Sequence, residues 1–272
     1  MCGRFTLTVP TYEELADALG AAAADPLAAA AYRPRYNVAP TDPAWIVRMR
    51  DGVRELSSSE WGLIPRWSKA AKQAGRPINA RAETLSTRPL FRESFEQRRC
   101  AVVSDGFLEW DKTPSGRVPY WFRPREGGLL LMAGLWDRWF DEAAARKVCT
   151  FAIVTTDASD DVAPLHDRMP VILTPEALAT WLAVPVAGAG GATEEALREI
   201  MAPRPHGTLD KTRVSRRVGS VKNDDPQCLL PGDADDTAPR PVRTQAKRGA
   251  SSAATLPLFE LPERAPAKAS RR

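Results

Sequence analysis

Apolar positions along this chain come in short runs cut by glycine, proline and acidic residues, a pattern of many short strands and few helices. Trp45-Ile46-Val47-Arg48-Met49-Arg50 predicts a strand, and Asp51-Gly52 predicts a tight hairpin turn into a second strand over Val53–Ser58. Cys100–Ser104 predicts a short apolar strand that Gly106–Trp110 continues after a break, read as a bulge. Further strands are predicted at Pro119–Arg123, Leu129–Leu135 and Val148–Thr155. A proline-bracketed turn over Ala163–Pro170 precedes Val171–Leu173. Thr11 and Glu14 form a capping box for a helix that runs to about Leu19 and stops at Gly20, with an Ala/Pro-rich connection after it. Other helices are predicted over Pro89–Gln97, after the Thr174 cap with Pro175 at its first position, and from Thr193. Tyr36–Thr41 reads as an extended segment ending in a rigid turn, Trp61–Trp67 as a loop presenting aromatics, and Val214–Asn223 as polar and partly extended. The whole argues an α+β fold: a single domain over 2–230 with a curved, mostly antiparallel sheet or open barrel as core and peripheral helices.

Composition narrows the class. A chain of 272 residues with 43% apolar content and eight tryptophans can bury a sizeable core. There is no apolar run of about 18 residues, so no transmembrane helix is expected. The first residues lack a secretory pattern. Cysteines at 2, 100, 149 and 228 have neither zinc-site nor disulfide-framework spacing. Cys100 and Cys149, within apolar runs, are expected to be buried, and a reducing cytosol follows. No metal and no cofactor is expected. The net charge of +4 is uneven: residues 231–272 hold eight Lys/Arg against five Asp/Glu, which leaves +1 for the rest. Recognition of nucleic acid by the folded part must therefore rest on individually placed arginines. Residues 231–272 lack periodicity and read as a disordered basic tail.

The sharpest chemistry stands at the start. A cysteine directly after Met1 can become the first residue, because its small side chain permits removal of the methionine. Cys2 then carries a free amine beside its thiol. Such an aminothiol traps aldehydes: the amine condenses to an imine and the sulfur closes a thiazolidine ring. The thiolate is the stronger nucleophile, and Arg4 would favour it. Cysteine at position two also occurs by chance in many proteins.

Five segments occur in one order: Met1-Cys2-Gly3-Arg4-Phe5, Tyr36-Asn37-Val38-Ala39-Pro40, Ile78–Glu83, Asp105–Trp110 and His166-Asp167-Arg168-Met169-Pro170. Trp61–Pro65 and Val218–Asn223 add to the set. Together they resemble the SOS-response-associated peptidase (SRAP) family, the abasic-site processing proteins, over roughly residues 2–230. The resemblance implies an enzyme that recognises abasic sites in single-stranded DNA and crosslinks to them through its N-terminal cysteine. It also implies autoproteolytic exposure of that cysteine and a cytoplasmic, replication-associated location.

An opened abasic deoxyribose supplies the aldehyde that Cys2 requires. The resemblance places Asn79 beside the Cys2 amine as an orienting group. Glu109, between Leu108 and Trp110 on an alternating strand, points opposite to both, and a partly buried carboxyl with a raised pKa could protonate the sugar ring oxygen. His166 can shuttle protons near neutral pH during ring opening, crosslink reversal or strand scission. Arg4, Arg81 and Arg168 are candidate phosphate ligands, since guanidinium binds phosphate as a fork. Pro40 and Trp67 look like the family's wedge against the flanking base, with Arg66 where the family has a second aromatic. Trp61 reads as core, and Asp105, Trp110, Asp167 and Lys222 as supporting residues.

In the tail, Leu256–Phe259 within Thr255-Leu256-Pro257-Leu258-Phe259 resembles the short peptides that dock on the bacterial sliding clamp. Thr255 stands where that motif has Gln. The partners expected are abasic single-stranded DNA and, through this peptide, the clamp, with a monomeric chain. Two alternatives remain open on residues alone. One is a thiol autopeptidase acting on protein, the other a non-catalytic single-stranded-DNA binder or clamp adaptor.

Overall fold

The computed structural model describes residues 2–69, 75–114, 116–183 and 192–232, all within one compact unit. In chain order the elements are β1 (Arg4–Leu7), α1 (Tyr12–Leu19), β2 (Ala22–Ala23), α2 (Pro26–Ala30), β3 (Arg35–Val38), β4 (Pro43–Arg50) and β5 (Val53–Trp61). There follow β6 (Asn79–Arg81), α3 (Pro89–Gln97), β7 (Arg99–Ser104), β8 (Gly106–Thr113), β9 (Gly116–Pro124), β10 (Leu130–Asp141) and β11 (Arg146–Asp157). The last are β12 (Arg168–Pro170), β13 (Ile172–Leu173), α4 (Pro175–Leu182), α5 (Glu194–Ile200) and β14 (Leu209–Arg213). The fold is α+β with mostly antiparallel sheets, as the sequence predicts.

Two sheets carry it. The larger runs β12-β11-β10-β7-β4-β5-β2, and the smaller runs β14-β9-β8-β1-β3. Within the larger sheet, β5 also pairs in parallel with β11, Thr150 opposite Glu60 and Phe151 opposite Trp61. That pairing closes β11, β10, β7, β4 and β5 into a ring. The other four contacts of the ring are antiparallel. Alternating directions cannot close on an odd number of strands, so one pairing has to be parallel.

The central strands are buried on both faces, which is why they read as unbroken apolar runs. Ile46, Cys100, Val102, Phe151 and Ile153 face a cluster shared with Phe5, Phe107 and Phe122 of the smaller sheet. Their alternates Val47, Ala101, Val103, Ala152 and Val154 face Leu15, Phe91, Phe95, Leu178 and Trp181 of the helices. Trp181 is fully buried and donates its indole N–H to the Cys100 carbonyl at 2.8 Å, pinning α4 to β7. Local signals hold where chemistry dictates them. Thr11 accepts the Glu14 N–H at 3.2 Å, Gly20 ends α1 at φ 54°, and Asp51 and Gly52 both take positive φ in the β4–β5 hairpin.

Several expectations change. The break at Asp105 is not a bulge: β7 belongs to the larger sheet and β8 to the smaller, so the chain crosses between sheets there. Asp105 makes the crossing by accepting hydrogen bonds from the Thr6 and Thr8 hydroxyls and the Thr8 N–H. Cys149 is only half-buried, because on β11 it alternates with the core positions. The strands β10 and β11 extend well past their apolar centres into polar ends, since backbone pairing from Gly134–Ile153 to Asp141–Arg146 needs no apolar side chains. The short helix α2 and the strand β14 carry too little periodicity to be foreseen. The fold continues through Pro231, which bridges to Val214, and Gly232, whose N–H reaches the Arg213 carbonyl at 3.2 Å. The remainder of the tail, including Leu256–Phe259, lies outside the described residues. Among the described residues no helix is long and apolar enough to cross a membrane, and no cluster of His, Cys, Asp and Glu could hold a metal ion.

Candidate active site at Cys2

Cys2 lies just ahead of β1 and is completely buried, packed with Phe5, Trp61, Phe107, Ile153 and Met169. Strand β1 pairs with β8 in the register Arg4 opposite Leu108 and Phe5 opposite Phe107. Continued one step, that register sets Glu109 level with Gly3. Phe107 packs in the Cys2 cluster, whereas Leu108 and Trp110 pack in a different one. Alternation therefore turns Glu109 to the Cys2 side, and it is buried there. Gly106 makes this pairing possible: a Cβ on it would stand 2.2 Å from the Trp121 indole nitrogen and 2.6 Å from the Phe122 carbonyl. The Trp121 N–H crosses Gly106 to reach the Thr6 hydroxyl at 3.0 Å.

Asn79 completes the first layer. It opens β6, which runs parallel to β11 with Asn79 opposite Ile153. Its side-chain N–H donates to the Cys2 carbonyl at 2.8 Å, and its Oδ1 is buried without a hydrogen-bond partner. Burial pushes the Cys2 thiol far above its ordinary value, and the Glu109 charge pushes it the same way. The thiol is thus held protonated, contrary to the expectation that Arg4 favours a thiolate. The Arg4 guanidinium is directed elsewhere: it donates to Asn37 Oδ1 at 2.8 Å and the Val218 carbonyl at 3.0 Å, and lies 5.7 Å from the Trp110 ring centre. Burial lowers its pKa from the ordinary arginine value.

This contact explains two of the sequence segments. Asn37 is fully buried, and its amide spans the carbonyls of Val218, Ser220 and Asn223 at 2.8–3.0 Å. Asp224 accepts the backbone N–H groups of Tyr36 and Asn37 at 2.7 and 3.0 Å. The segment 218–224 is thereby tied to β3, and Arg4 is tied to both.

The His166 turn approaches along β11. Strand β12 pairs with that strand's end, Pro170 opposite Thr155 and Arg168 opposite Asp157, while β6 pairs with the other edge, Arg81 opposite Thr155. Leu165 and Met169, which flank the turn, pack in the Cys2 cluster. The Arg168 N–H stands 3.0 Å from His166 Nδ1 and fixes the ring in the turn. Asp167 stands 2.8 Å from the same nitrogen and would pair with a protonated ring. Arg168 grips Glu83 with both terminal nitrogens at 2.7 and 3.0 Å, and Asp157 and the Thr155 carbonyl at 2.6 and 2.7 Å. Burial opposes its charge, but Glu83 and Asp157 outweigh burial and hold the guanidinium above its usual pKa. The hydrogen bond from Arg168 holds Glu83 below the usual carboxylate range.

Arg81 differs from both other arginines. It is exposed, and its guanidinium makes no hydrogen bond or ion pair with the described residues. Thr155, between Arg81 and Pro170 in register, is fully buried with an unpartnered hydroxyl. Sequence reading passed over it because it closes an apolar strand run. Pro40 sits on a turn held to Trp61 by the Thr41 N–H at 2.9 Å, and Trp67 on the loop that follows Trp61 is 59% exposed. Arg66 beside it is anchored, its backbone N–H and Nε reaching Asp137 at 2.9 and 3.0 Å.

The described arrangement matches a known family. The model of the SOS response associated peptidase family covers residues 1–221. The chain belongs to the SRAP family. The abasic site processing protein YoqW of Bacillus subtilis (strain 168) is 33% identical over 231 residues, which cover 84% of this chain and 99% of that protein. YedK of Escherichia coli (strain K12), also named an abasic site processing protein, is 31% identical over 235 residues and is covered completely. HMCES of Gallus gallus, under the same descriptive name, is 32% identical over 231 residues, 67% of its length. A crystal structure of a Bacteroides thetaiotaomicron protein superposes with a TM-score of 0.73 at 25% identity, over 84% of this chain and 100% of that one. The family model thus spans most of the described body, with Cys2, Asn79, Glu109, His166 and Arg81 inside the matched span.

Proposed function

We propose that this chain processes abasic sites in single-stranded DNA by forming a thiazolidine crosslink through Cys2, once removal of Met1 has freed its amine. The observation that carries the reading is the enclosure of Cys2: the Asn79 amide holds its carbonyl at 2.8 Å while Glu109 is turned to its side. The relatives' shared name, abasic site processing protein, points to the same substrate.

The residues divide the work as follows. Opening the sugar moves one proton from the anomeric hydroxyl to the ring oxygen. Glu109 can take the first and return it to the second, so one buried carboxylate serves as base and then acid. The freed amine adds to the aldehyde and water leaves as the imine forms. The Asn79 Oδ1, buried and unpartnered, is the acceptor that orients that amine. The Cys2 S–H then adds across the imine: sulfur bonds to carbon and the proton ends on nitrogen. A thiol kept neutral by burial suits this last step, because it arrives with the proton the ring nitrogen needs. His166 moves protons at the leaving oxygen or in reversal. Arg81, with no partner among the described residues, takes a phosphate flanking the lesion. Arg4 presents its remaining nitrogens to the strand, and Arg168, whose terminal nitrogens are taken by Glu83, Asp157 and the Thr155 carbonyl, holds the wall of the site. Pro40 and Trp67 stack against the neighbouring base.

The test is a denaturing gel of the purified protein with an abasic single-stranded oligonucleotide. A heat-stable adduct is expected, absent with the intact oligonucleotide and absent for Cys2→Ala. An undiminished adduct with Cys2→Ala refutes the assignment. Mass spectrometry of the purified protein is expected to show the chain starting at Cys2.

A further inference from the structure

A second concentration of chemistry lies at the far end of β4. Ala44 and Ile46 pack in the Cys2 cluster, and Arg48 and Arg50 continue the same face of that strand by alternation. There a cavity of about 430 Å³ is lined by Arg48, Met49, Arg50, Arg66, Trp136 and Arg138, four guanidiniums and no carboxylate. Arg48 is buried, lies 4.4 Å from the Trp136 ring centre, and gives two nitrogens to Glu55 at 2.6 and 2.7 Å. Its third, Nη1, is buried without a hydrogen-bond partner. Arg50 shares Glu55 at 3.3 Å, and Arg66 is held by Asp137. The Arg138 side chain is exposed and makes no hydrogen bond or ion pair with the described residues.

Four arginines around one cavity repel each other. Glu55, Asp51, Asp137 and Glu93 lie within ion-pair distance of them, but Arg98 shares the last two, so the carboxylates offset only part of the charge. One orphaned buried donor and one unpaired guanidinium leave the site short of acceptors. A phosphate supplies both the charge and the acceptor oxygens, in the geometry a guanidinium fork matches. The cavity is large enough to admit a nucleotide. Arg66 joins it to the proposed strand track, because the next residue is the exposed Trp67.

We propose that this cavity binds a backbone phosphate of single-stranded DNA, extending beyond Trp67 the track that serves Cys2. The phosphate chemistry comes from the arginines themselves, whereas the strand as its source rests on the function proposed above. The test uses the full chain and its R50Q/R138Q variant, whose two side chains lie at the surface. Fluorescence anisotropy of an intact oligothymidine of about 20 nucleotides is followed from about 50 to about 200 mM salt. Each phosphate contact on a single strand contributes about 0.7 to the salt slope. Loss of that one phosphate contact should make the double variant shallower by about 0.7, and R138Q alone should give part of the same change. R138Q disturbs no ion pair and serves if the double variant melts early. An unchanged slope in folded variants overturns the proposal. Weakened binding of dTMP by calorimetry with an unchanged oligonucleotide slope overturns the strand assignment in favour of a free nucleotide. The adduct assay on the same wild-type protein separates the two ideas: no adduct with a normal slope change sinks the Cys2 reading and leaves this one standing.

Discussion

Glu109→Gln should move two properties of Cys2 in opposite directions. Gln keeps the volume of the side chain and most of its hydrogen-bonding capacity but removes the charge. Glu109 stands level with Gly3 and turns toward the Cys2 cluster, and its charge raises the thiol pKa. Cross-strand neighbours on one face stand about 5 Å apart at Cβ. Two unit charges about 6 Å apart, in an effective dielectric near 20, repel by about 2.8 kcal/mol. Removing that repulsion should raise the thiolate population at a given alkaline pH by about a hundredfold. Burial, the larger cause, remains, so the thiol should still titrate above an ordinary cysteine. The assay is an NMR titration of the Cys2 Cβ resonance, whose midpoint should fall in the variant. Crosslinking to abasic single-stranded DNA should slow by about 10²–10⁴, because the proton carrier for ring opening is gone. A more ionised nucleophile that reacts more slowly is a result that nucleophilicity alone does not give. An unmoved or higher midpoint would refute the placement of the carboxylate beside the thiol. A lower midpoint with an unchanged crosslinking rate would remove Glu109 from the chemistry.

Asn79→Ala removes one hydrogen bond to the Cys2 carbonyl, a net contribution of about 1 kcal/mol, so single-turnover crosslinking should slow roughly fivefold. Arg81→Gln and Arg168→Lys should separate cleanly. The first should lower the salt slope of oligonucleotide binding by about 0.7 with no change in melting. The second loses the forked grip on Glu83 and should cost about 1–2 kcal/mol of stability, discounted because Glu83 and Asp157 are well exposed, with little change in slope. Cys2 and Cys100 are both held above the ordinary thiol value of 9.0, chiefly by burial. The unfolded chain therefore releases these protons first, and stability should fall as pH rises past about 9, by about 1.4 kcal/mol per pH unit for each group. Urea unfolding at successive pH values should show a shallower decline for Cys100→Ala.

The legibility of this protein in its sequence follows the range of the interactions. Thr11, Gly20 and Asp51-Gly52 act over a few residues, and each did in the fold what its local chemistry required. The ordered segments around Cys2, Asn37, Asn79, Glu109 and His166 were enough to suggest the family. The same letters could not say how the segments support one another. Asn37 looked like part of an extended motif. Its burial and its three carbonyl partners appear only once 218–223 folds back on β3, at a separation of more than 180 residues. Asp105-Gly106 looked like an irregularity within one strand. That it joins two sheets depends on Thr6, Thr8 and Trp121, none of them near it in sequence.

The sequence by itself was enough to propose the reactive group and the class of its partner: an aminothiol is chemistry carried by one residue, and no fold is needed to propose it. Only the tertiary structure decided the state of that group. Burial and the Glu109 charge both push the Cys2 thiol above its ordinary value, and the Glu109 contribution arises from how β1 meets β8. It also decided which arginines are engaged. Arg4 and Arg168 are equivalent to Arg81 as letters, but their guanidiniums are held by Asn37, Val218, Glu83 and Asp157, while Arg81 faces outward. A guanidinium binds whatever acceptors the fold sets within reach, and that setting is a property of packing over long chain separations.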